Sequence, residues 1–280
     1  MENEIVFKDV IAPDVKLLQV KAPLIAKKAK SGQFIILRVD EEGERIPLTL
    51  IDCDLKEETI TLVFKEAGAS TKKLGTLEVG DRIHDLVGPL GNPSEIKFYG
   101  KVCAIGRGAA IAAAYERAKK LKKAGNDITT ILSARTAELL IYKEDFKKIS
   151  DRFYTVTDDG SEGVKGYAND LLKNLLDSGE RFDLVYTVGA ATLMRTVSEV
   201  TKPYNIKTIV SLNSLMVDGT GMCGCCRVTV GGKPMFTCVD GPEFDAHLVD
   251  FGEFRARIHA YDQEEKMALE LIEGKCNCKG

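Results

Sequence analysis

Two hydrophobic rhythms divide the chain. Through the first hundred residues the apolar positions come in short, β-branched runs separated by turn residues. The opening Met1-Glu-Asn-Glu-Ile-Val-Phe7 is already strand-like. Phe34-Ile-Ile-Leu-Arg-Val39 follows Gly32, and Arg45-Ile-Pro-Leu-Thr-Leu-Ile51 and Thr59-Ile-Thr-Leu-Val-Phe64 come next. Asp81-Arg-Ile-His-Asp-Leu-Val87 alternates before a turn at Gly88-Pro-Leu-Gly91. Short strands at this spacing predict a small antiparallel barrel.

From Lys101 the rhythm changes to strands alternating with helices. Val102-Cys-Ala-Ile105 feeds Gly106-Arg-Gly108 and an alanine-rich helix through Lys123. Strands are predicted at Asp127 to Ser133, Arg152 to Thr157, Phe182 to Val188 and Ile206 to Leu212, the last closing the sheet. Helices are predicted at Glu138 to Ile149, Tyr167 to Leu176, and from Gly189 to about Val200. This is the pattern of a parallel sheet with crossover helices, a nucleotide-binding architecture. Past Asn213 the chain turns glycine- and cysteine-rich and ends in a charged helix near Asp262 to Glu273. The expected division is therefore a barrel over 1–98, an α/β domain over 99–213 and a cysteine-bearing region over 214–280, with no internal repeat.

Composition narrows the function classes. A length of 280 residues suits two or three domains with their own cores. A net charge of −3 argues against a nucleic-acid partner. No apolar run approaches the roughly 18 residues of a membrane helix, and the acidic start is not a signal peptide. A reducing cytoplasm is expected, where the eight cysteines are ligands or buried thiols rather than disulfides. Cys53 and Cys103, each alone in an apolar strand, read as core thiols.

Three groups of residues carry candidate chemistry. On the strand Arg45-Ile-Pro-Leu-Thr49, Arg45, Pro47 and Thr49 point one way and Ile46 and Leu48 the other. Arginine binds a diphosphate bidentately, and Gly68-Ala-Ser70-Thr71 offers amides and hydroxyls at a helix start. A surface arginine and a capping box explain these residues equally well. Gly106-Arg-Gly108-Ala109 after a buried strand makes a tight turn and a helix N-terminus for a pyrophosphate, although Ile111 holds the third glycine position. Arg135, after the second strand, is placed for a ribose or 2′-phosphate or is a solvated charge. Asp158 ends the third strand as a cleft ligand or a simple turn.

The third group is Asp218-Gly-Thr-Gly-Met-Cys223-Gly-Cys225-Cys226, with Cys238 twelve positions on. Free thiols are one reading. A zinc site of three cysteines and His247 is another. The third is a [2Fe–2S] cluster: plant-type ferredoxins space ligands C-x₄-C-x₂-C with a distant fourth, and here Asp218-x₄-Cys223-x₂-Cys226 precedes Cys238, with aspartate in the first position. Adjacent residues cannot easily both face one cluster, so Cys225 reads as a spectator, and Arg227 as a charge that neutralises the cluster or pairs with a partner. Cys276 and Cys278 read as a tail feature.

On these motifs the chain resembles the ferredoxin–NADP reductase superfamily, whose members carry an Arg-x-(Tyr/Pro)-(Ser/Leu)-(Ser/Thr) flavin strand. Arg45-x-Pro47-Leu48-Thr49 is similar to the branch of the dihydroorotate dehydrogenase electron-transfer subunits. Gly189-Ala190-Ala-Thr-Leu-Met194 resembles the superfamily's Gly-Pro-x-x-Met loop beneath the nicotinamide, with alanine for proline. The run from Ser211 to Gly232 with Phe236 to Asp245 resembles one group, the small subunits of NADH-dependent reduced ferredoxin:NADP⁺ oxidoreductase, also called sulfide dehydrogenase beta subunits.

The resemblance implies FAD, with Arg45 and Thr71 near the phosphates and Pro47, Leu48 and Thr49 near the isoalloxazine. It also implies an NAD(H) site and a [2Fe–2S] cluster on Asp218, Cys223, Cys226 and Cys238. It implies a larger partner subunit with a second FAD and two [4Fe–4S] clusters, which meets ferredoxin and NADP(H). Dihydroorotate dehydrogenase electron-transfer subunits typically carry cysteine in place of Asp218. Those subunits and sulfide or polysulfide reductases remain alternatives, as does a zinc-bearing module on an inactive reductase fold. No protein acid, base or nucleophile is required for hydride transfer.

Overall fold

The structure, a computed structural model, describes residues 2–272 and 274. Six antiparallel strands come first: β1 (Ile5–Ala12), β2 (Val15–Lys21), β3 (Phe34–Arg38), β4 (Arg45–Asp54), β5 (Thr59–Lys65) and β6 (Asp85–Leu90). They order as β1-β2-β5-β4-β3-β6. A bridge from Glu4 to Arg82 joins the first edge to the approach of β6, so the sheet closes as a barrel. Ile5, Leu18, Ile35, Leu37, Ile60 and Leu62 fill the interior with no exposed surface. Two helices complete this part, α1 (Pro23–Lys28) and α2 (Ala69–Thr76).

The strand expected at Asp81–Val87 is displaced. β6 starts at Asp85 and takes in Gly88 to Leu90, the residues read as a turn. Alternation marks which side chains face inward but not which backbone groups find a partner. Here Arg38, Leu37 and Ile36 of β3 select Asp85, Leu86 and Val87. Ile83 still enters the core, ahead of the strand.

The second sheet runs through β7 (Lys101–Arg107), β8 (Asp127–Ala134), β9 (Arg152–Thr157), β10 (Val164–Lys165), β11 (Leu184–Val188) and β12 (Thr208–Ser211). A hairpin follows, β13 (Arg227–Val230) with β14 (Lys233–Phe236), then β15 (Glu243–Asp245). The order β10-β9-β8-β7-β11-β12-β15 is parallel except for β15, which lies antiparallel on β12. The expected closure by the Ile206–Leu212 segment is thus corrected: a strand from beyond the cysteine loop forms that edge.

Crossover helices α3 (Ile111–Lys123), α4 (Lys143–Ile149), α5 (Ala168–Asp177) and α6 (Ala191–Thr201) cover both faces. Period-two alternation in β7 sends Val102 and Ala104 under α3, and Cys103 and Ile105 toward α5 and α6. Cys103 is the core thiol expected, whereas Cys53 is only partly buried against the barrel core.

The helix expected from Glu138 breaks in two. A 3₁₀ turn at Ala137–Leu139 and a left-handed Tyr142 precede α4. Leu140 and Ile141 turn inward, and Tyr142 packs 5.1 Å from Tyr115. Burying these three outweighs local helix propensity.

The C-terminal segment adds α7 (Phe251–Ile258) and α8 (Asp262–Ile272), the latter within the predicted helix. Phe251 and Phe254 pack with Met194, Val210, Val228 and Phe244, which fuses this segment to the nucleotide sheet. Cys276 and Cys278 lie outside the described residues. Among the described residues no helix is long and apolar enough to cross a membrane.

Candidate flavin, nucleotide and iron–sulfur site

One cleft of about 940 Å³ touches all three parts of the chain. Its barrel wall is β4 from Arg45 to Thr49, together with Thr71; its sheet wall is Arg107, Ala109, Val188, Gly189 and Ala190. Its third wall runs along Leu212 to Val217 and includes Cys225. Parallel-sheet ligands bind beyond the carboxyl ends of the strands, and here those ends face the barrel.

On the barrel side, Ile46 and Leu48 pack on the core while their strand borders the cleft. The Thr71 hydroxyl accepts the N–H groups of Ala67 and Gly68, each at 3.0 Å, and so closes the first turn of α2. Ser70 donates to Glu44 at 3.1 Å. Gly68 and Ser70 flank the cleft without lining it. Ser214 lines the cleft, and its hydroxyl is buried without a protein partner.

On the sheet side, Gly106 is the close-approach glycine. A Cβ there would sit 3.0 Å from Ala114 Cβ and Ile111 Cα, so α3 packs directly on β7. Arg107 donates from both terminal nitrogens to the Asp158 carboxylate, at 3.0 and 2.7 Å, bridging the ends of β7 and β9 across β8. Gly108 opens the 3₁₀ turn before α3. Arg135 is exposed just beyond β8 and does not line the cleft. The Met194 side chain is fully buried in the core beneath α6, away from the cleft.

The cysteine loop packs against the barrel. Cys226 and Cys238 are each 2% exposed, with sulfurs 3.2 Å apart, against Phe34, Ile36 and Met216. Burial first, then the neighbouring Cys226, push the Cys238 thiol up to about 12. Cys223 is exposed, and its N–H donates to Asp218 at 2.8 Å. The Thr220 N–H, at 2.9 Å, holds the Asp218 carboxyl below its ordinary value, and the Cys223 N–H adds to this.

Gly219 has φ of +72°, and a Cβ there would lie 2.7 Å from Ile36 and Leu90. Only glycine lets the loop pass this close to the barrel. Three soft sulfurs and one carboxylate on a glycine-lined loop fit an iron–sulfur centre in donor chemistry. Among the described residues, no three His, Cys, Asp or Glu side chains are gathered closely enough to hold a single metal ion. His247 bonds Thr201 at 3.0 Å, which engages it away from the zinc role considered above. Arg227 is exposed at the start of β13.

The local pattern does not mark the role of four residues. Arg107 lies inside the Gly106–Gly108 motif, yet its partner is 51 positions away. Cys225, read as a spectator, lines the cleft; Arg257 of α7 donates to its carbonyl at 3.1 Å. Ser214 and Tyr261 also line the cleft and carry no motif.

Comparison with known proteins agrees with this arrangement. Residues 213–250 match the family model for the iron–sulfur cluster binding domain of dihydroorotate dehydrogenase B. A Thermotoga maritima homolog of the electron transfer subunit of dihydroorotate dehydrogenase B (NAD(+)) is 47% identical over 96% of this chain and 94% of its own. A probable subunit of that kind from Methanopyrus kandleri is 31% identical over 80% of this chain and 82% of its own. A chain from a structure of NADH-dependent reduced ferredoxin-NADP oxidoreductase, solved to study flavin-based electron bifurcation, superposes with a TM-score of 0.92. It is 45% identical, with 98% of each chain covered. The chain belongs to the family of dihydroorotate dehydrogenase B electron-transfer subunits and their homologues.

Proposed function

We propose that this chain is the NAD(H)-facing flavin and iron–sulfur subunit of an electron-bifurcating NADH-dependent ferredoxin:NADP⁺ oxidoreductase, working in the cytoplasm. The observation that carries this reading is the single cleft bordered at once by the Arg45–Thr49 strand, the Gly189 loop and Cys225 of the cysteine loop. Two redox cofactors and a nicotinamide must lie within electron-transfer reach of one another, and a cavity bordered by the flavin strand, the Gly189 loop and the cysteine loop supports that reading. The 45% identity over 98% of both chains supports the bifurcating complex specifically.

When bound, FAD accepts electron pairs and releases them singly, and a [2Fe–2S] cluster relays single electrons. In this reading Arg45 and Thr71 hold the flavin diphosphate, and Pro47, Leu48 and Thr49 border its ring. Gly106, Gly108, Ala109 and Gly189 leave room for NADH. Arg135 meets the adenosine ribose, and Ala190 and Met194 shape the loop beneath the nicotinamide. Asp218, Cys223, Cys226 and Cys238 ligate the cluster. The partner is a larger FAD and [4Fe–4S] subunit, through which ferredoxin and NADP(H) exchange electrons.

Family membership favours a second reading, service to a dihydroorotate dehydrogenase. Anaerobic co-purification from the native cell separates the two, with iron, zinc and flavin counted. A larger iron–sulfur flavoprotein partner and NADH-dependent ferredoxin and NADP⁺ turnover support the first. A dihydroorotate-reducing partner supports the second, and a colourless zinc protein removes both.

A further inference from the structure

The flavin strand, Arg45-Ile-Pro-Leu-Thr49, carries no aromatic residue to stack on a planar ring. The fold brings one from elsewhere. Tyr261, in the turn between α7 and α8, lines the cleft with 54% of its surface exposed. Glu264 and Glu265 of α8 line it too. α8 packs on α2, whose first turn carries Ser70 and Thr71, and Glu265 feels the charge of Glu44, the neighbour of Arg45. The C-terminal helix therefore returns some 200 residues along the chain to the Arg45–Thr71 side of the cleft.

Chemistry assigns the occupant of this corner. Glu44, Glu264 and Glu265 repel phosphate, so the diphosphate stays on Arg45. They accept hydrogen bonds, and the part of FAD that is uncharged, flat and rich in N–H and O–H donors is its adenosine. In the reading above the isoalloxazine lies along Pro47, Leu48 and Thr49, and Gly189, Ala190 and Cys225 line the same cleft. We propose that Tyr261 stacks on the adenine of FAD, with the acidic first turn of α8 accepting hydrogen bonds from the adenosine. This rests on the flavoprotein reading above and adds a residue, a ring and a reason for selecting FAD over FMN.

The test uses the full chain stripped of flavin and titrated separately with FAD and FMN. Tyr261→Ala is expected to weaken FAD about tenfold or more, the usual effect of removing an aromatic from a stacked base. FMN, which lacks the adenosine, should bind within twofold of the parent. Tyr261→Phe should restore FAD affinity, while Tyr261→Leu, which keeps apolar volume, should not. Equal weakening of FAD and FMN would put Tyr261 on the flavin ring and overturn the proposal, as would unchanged FAD affinity. A parent chain that takes up neither flavin removes the underlying flavoprotein reading instead.

Discussion

Arg117 of α3 is ion-paired with Glu243 of β15, and the guanidinium is 2% exposed. Its central carbon, Cζ, lies 4.2 Å from the centroid of the Tyr186 ring. Ser94, from the segment after the barrel, donates to the same carboxylate at 2.6 Å. One buried charge cluster thus ties the segment leaving the barrel, the nucleotide sheet and the C-terminal segment together. Glu243→Gln leaves the guanidinium without its counter-charge and should cost about 3–5 kcal/mol in urea unfolding. Replacing both partners by Arg117→Met and Glu243→Leu should recover most of that loss. A single substitution as mild as the double one would contradict this account.

Glu116, one residue earlier, is buried and accepts the Ser31 hydroxyl at 2.6 Å. Burial raises its carboxyl above the ordinary 4.5. The folded state then holds a proton that the unfolded state has released, so this group's contribution to stability falls as pH rises from about 4.5 through the raised value. Glu116→Gln should remove that slope. Thermal melts from pH 4 to pH 8 should show the variant gaining on the parent as pH rises, and parallel curves would refute it.

Gly219 couples loop to barrel. Its left-handed φ alone makes an alanine cost about 1–2 kcal/mol, and the added methyl meets Ile36 and Leu90. Gly219→Ala should lower iron per chain in anaerobic preparations by at least half, with flavin content little changed. Full iron loading in the variant would show that the loop tolerates another path.

Arg107 presents a cation to the cleft in a fork held by Asp158. A hydrogen bond to a charged group is worth about 1.5–3 kcal/mol. Arg107→Ala should therefore raise KM for NADH about tenfold or more, with a smaller change in kcat against an artificial acceptor. Asp158→Asn, which loosens the fork but keeps the cation, should give a weaker effect in the same direction. A pure kcat defect would assign Arg107 another task.

Arg257 reaches from α7 to the carbonyls of Gly224 and Cys225, at 3.5 and 3.1 Å. Charge and hydrogen bonding near a cluster set its potential. Arg257→Gln should make the centre harder to reduce in an EPR-monitored titration, because a cation that favours the added electron is gone. Arg257→Lys should fall between the variant and the parent.

Much of this molecule is legible in its local pattern. The run Val102 to Ile105 ending in Gly106-Arg-Gly108 reads as strand, turn and helix because buried strands, close-approach glycines and helix starts each depend on a few neighbouring residues. The spacing of Asp218, Cys223, Cys226 and Cys238 is local in the same sense, and it points to soft-donor chemistry without coordinates. Long-range pairing decided the rest. Whether the β6 strand begins at Asp81 or Asp85 depended on which backbone groups of β3 stood opposite.

β15 became the edge of the nucleotide sheet because β12 offered it an unpaired side. Leu140 and Ile141 broke a promising helix to enter a core assembled by other elements. Arg107 found Asp158, Cys225 turned to the cleft and Tyr261 joined the same cleft through contacts 32 to some 200 residues apart. Residue type and spacing set which chemistry this chain carries, since those follow from covalent neighbours. Which groups share one cavity followed from chain packing, which has no signature in any local window.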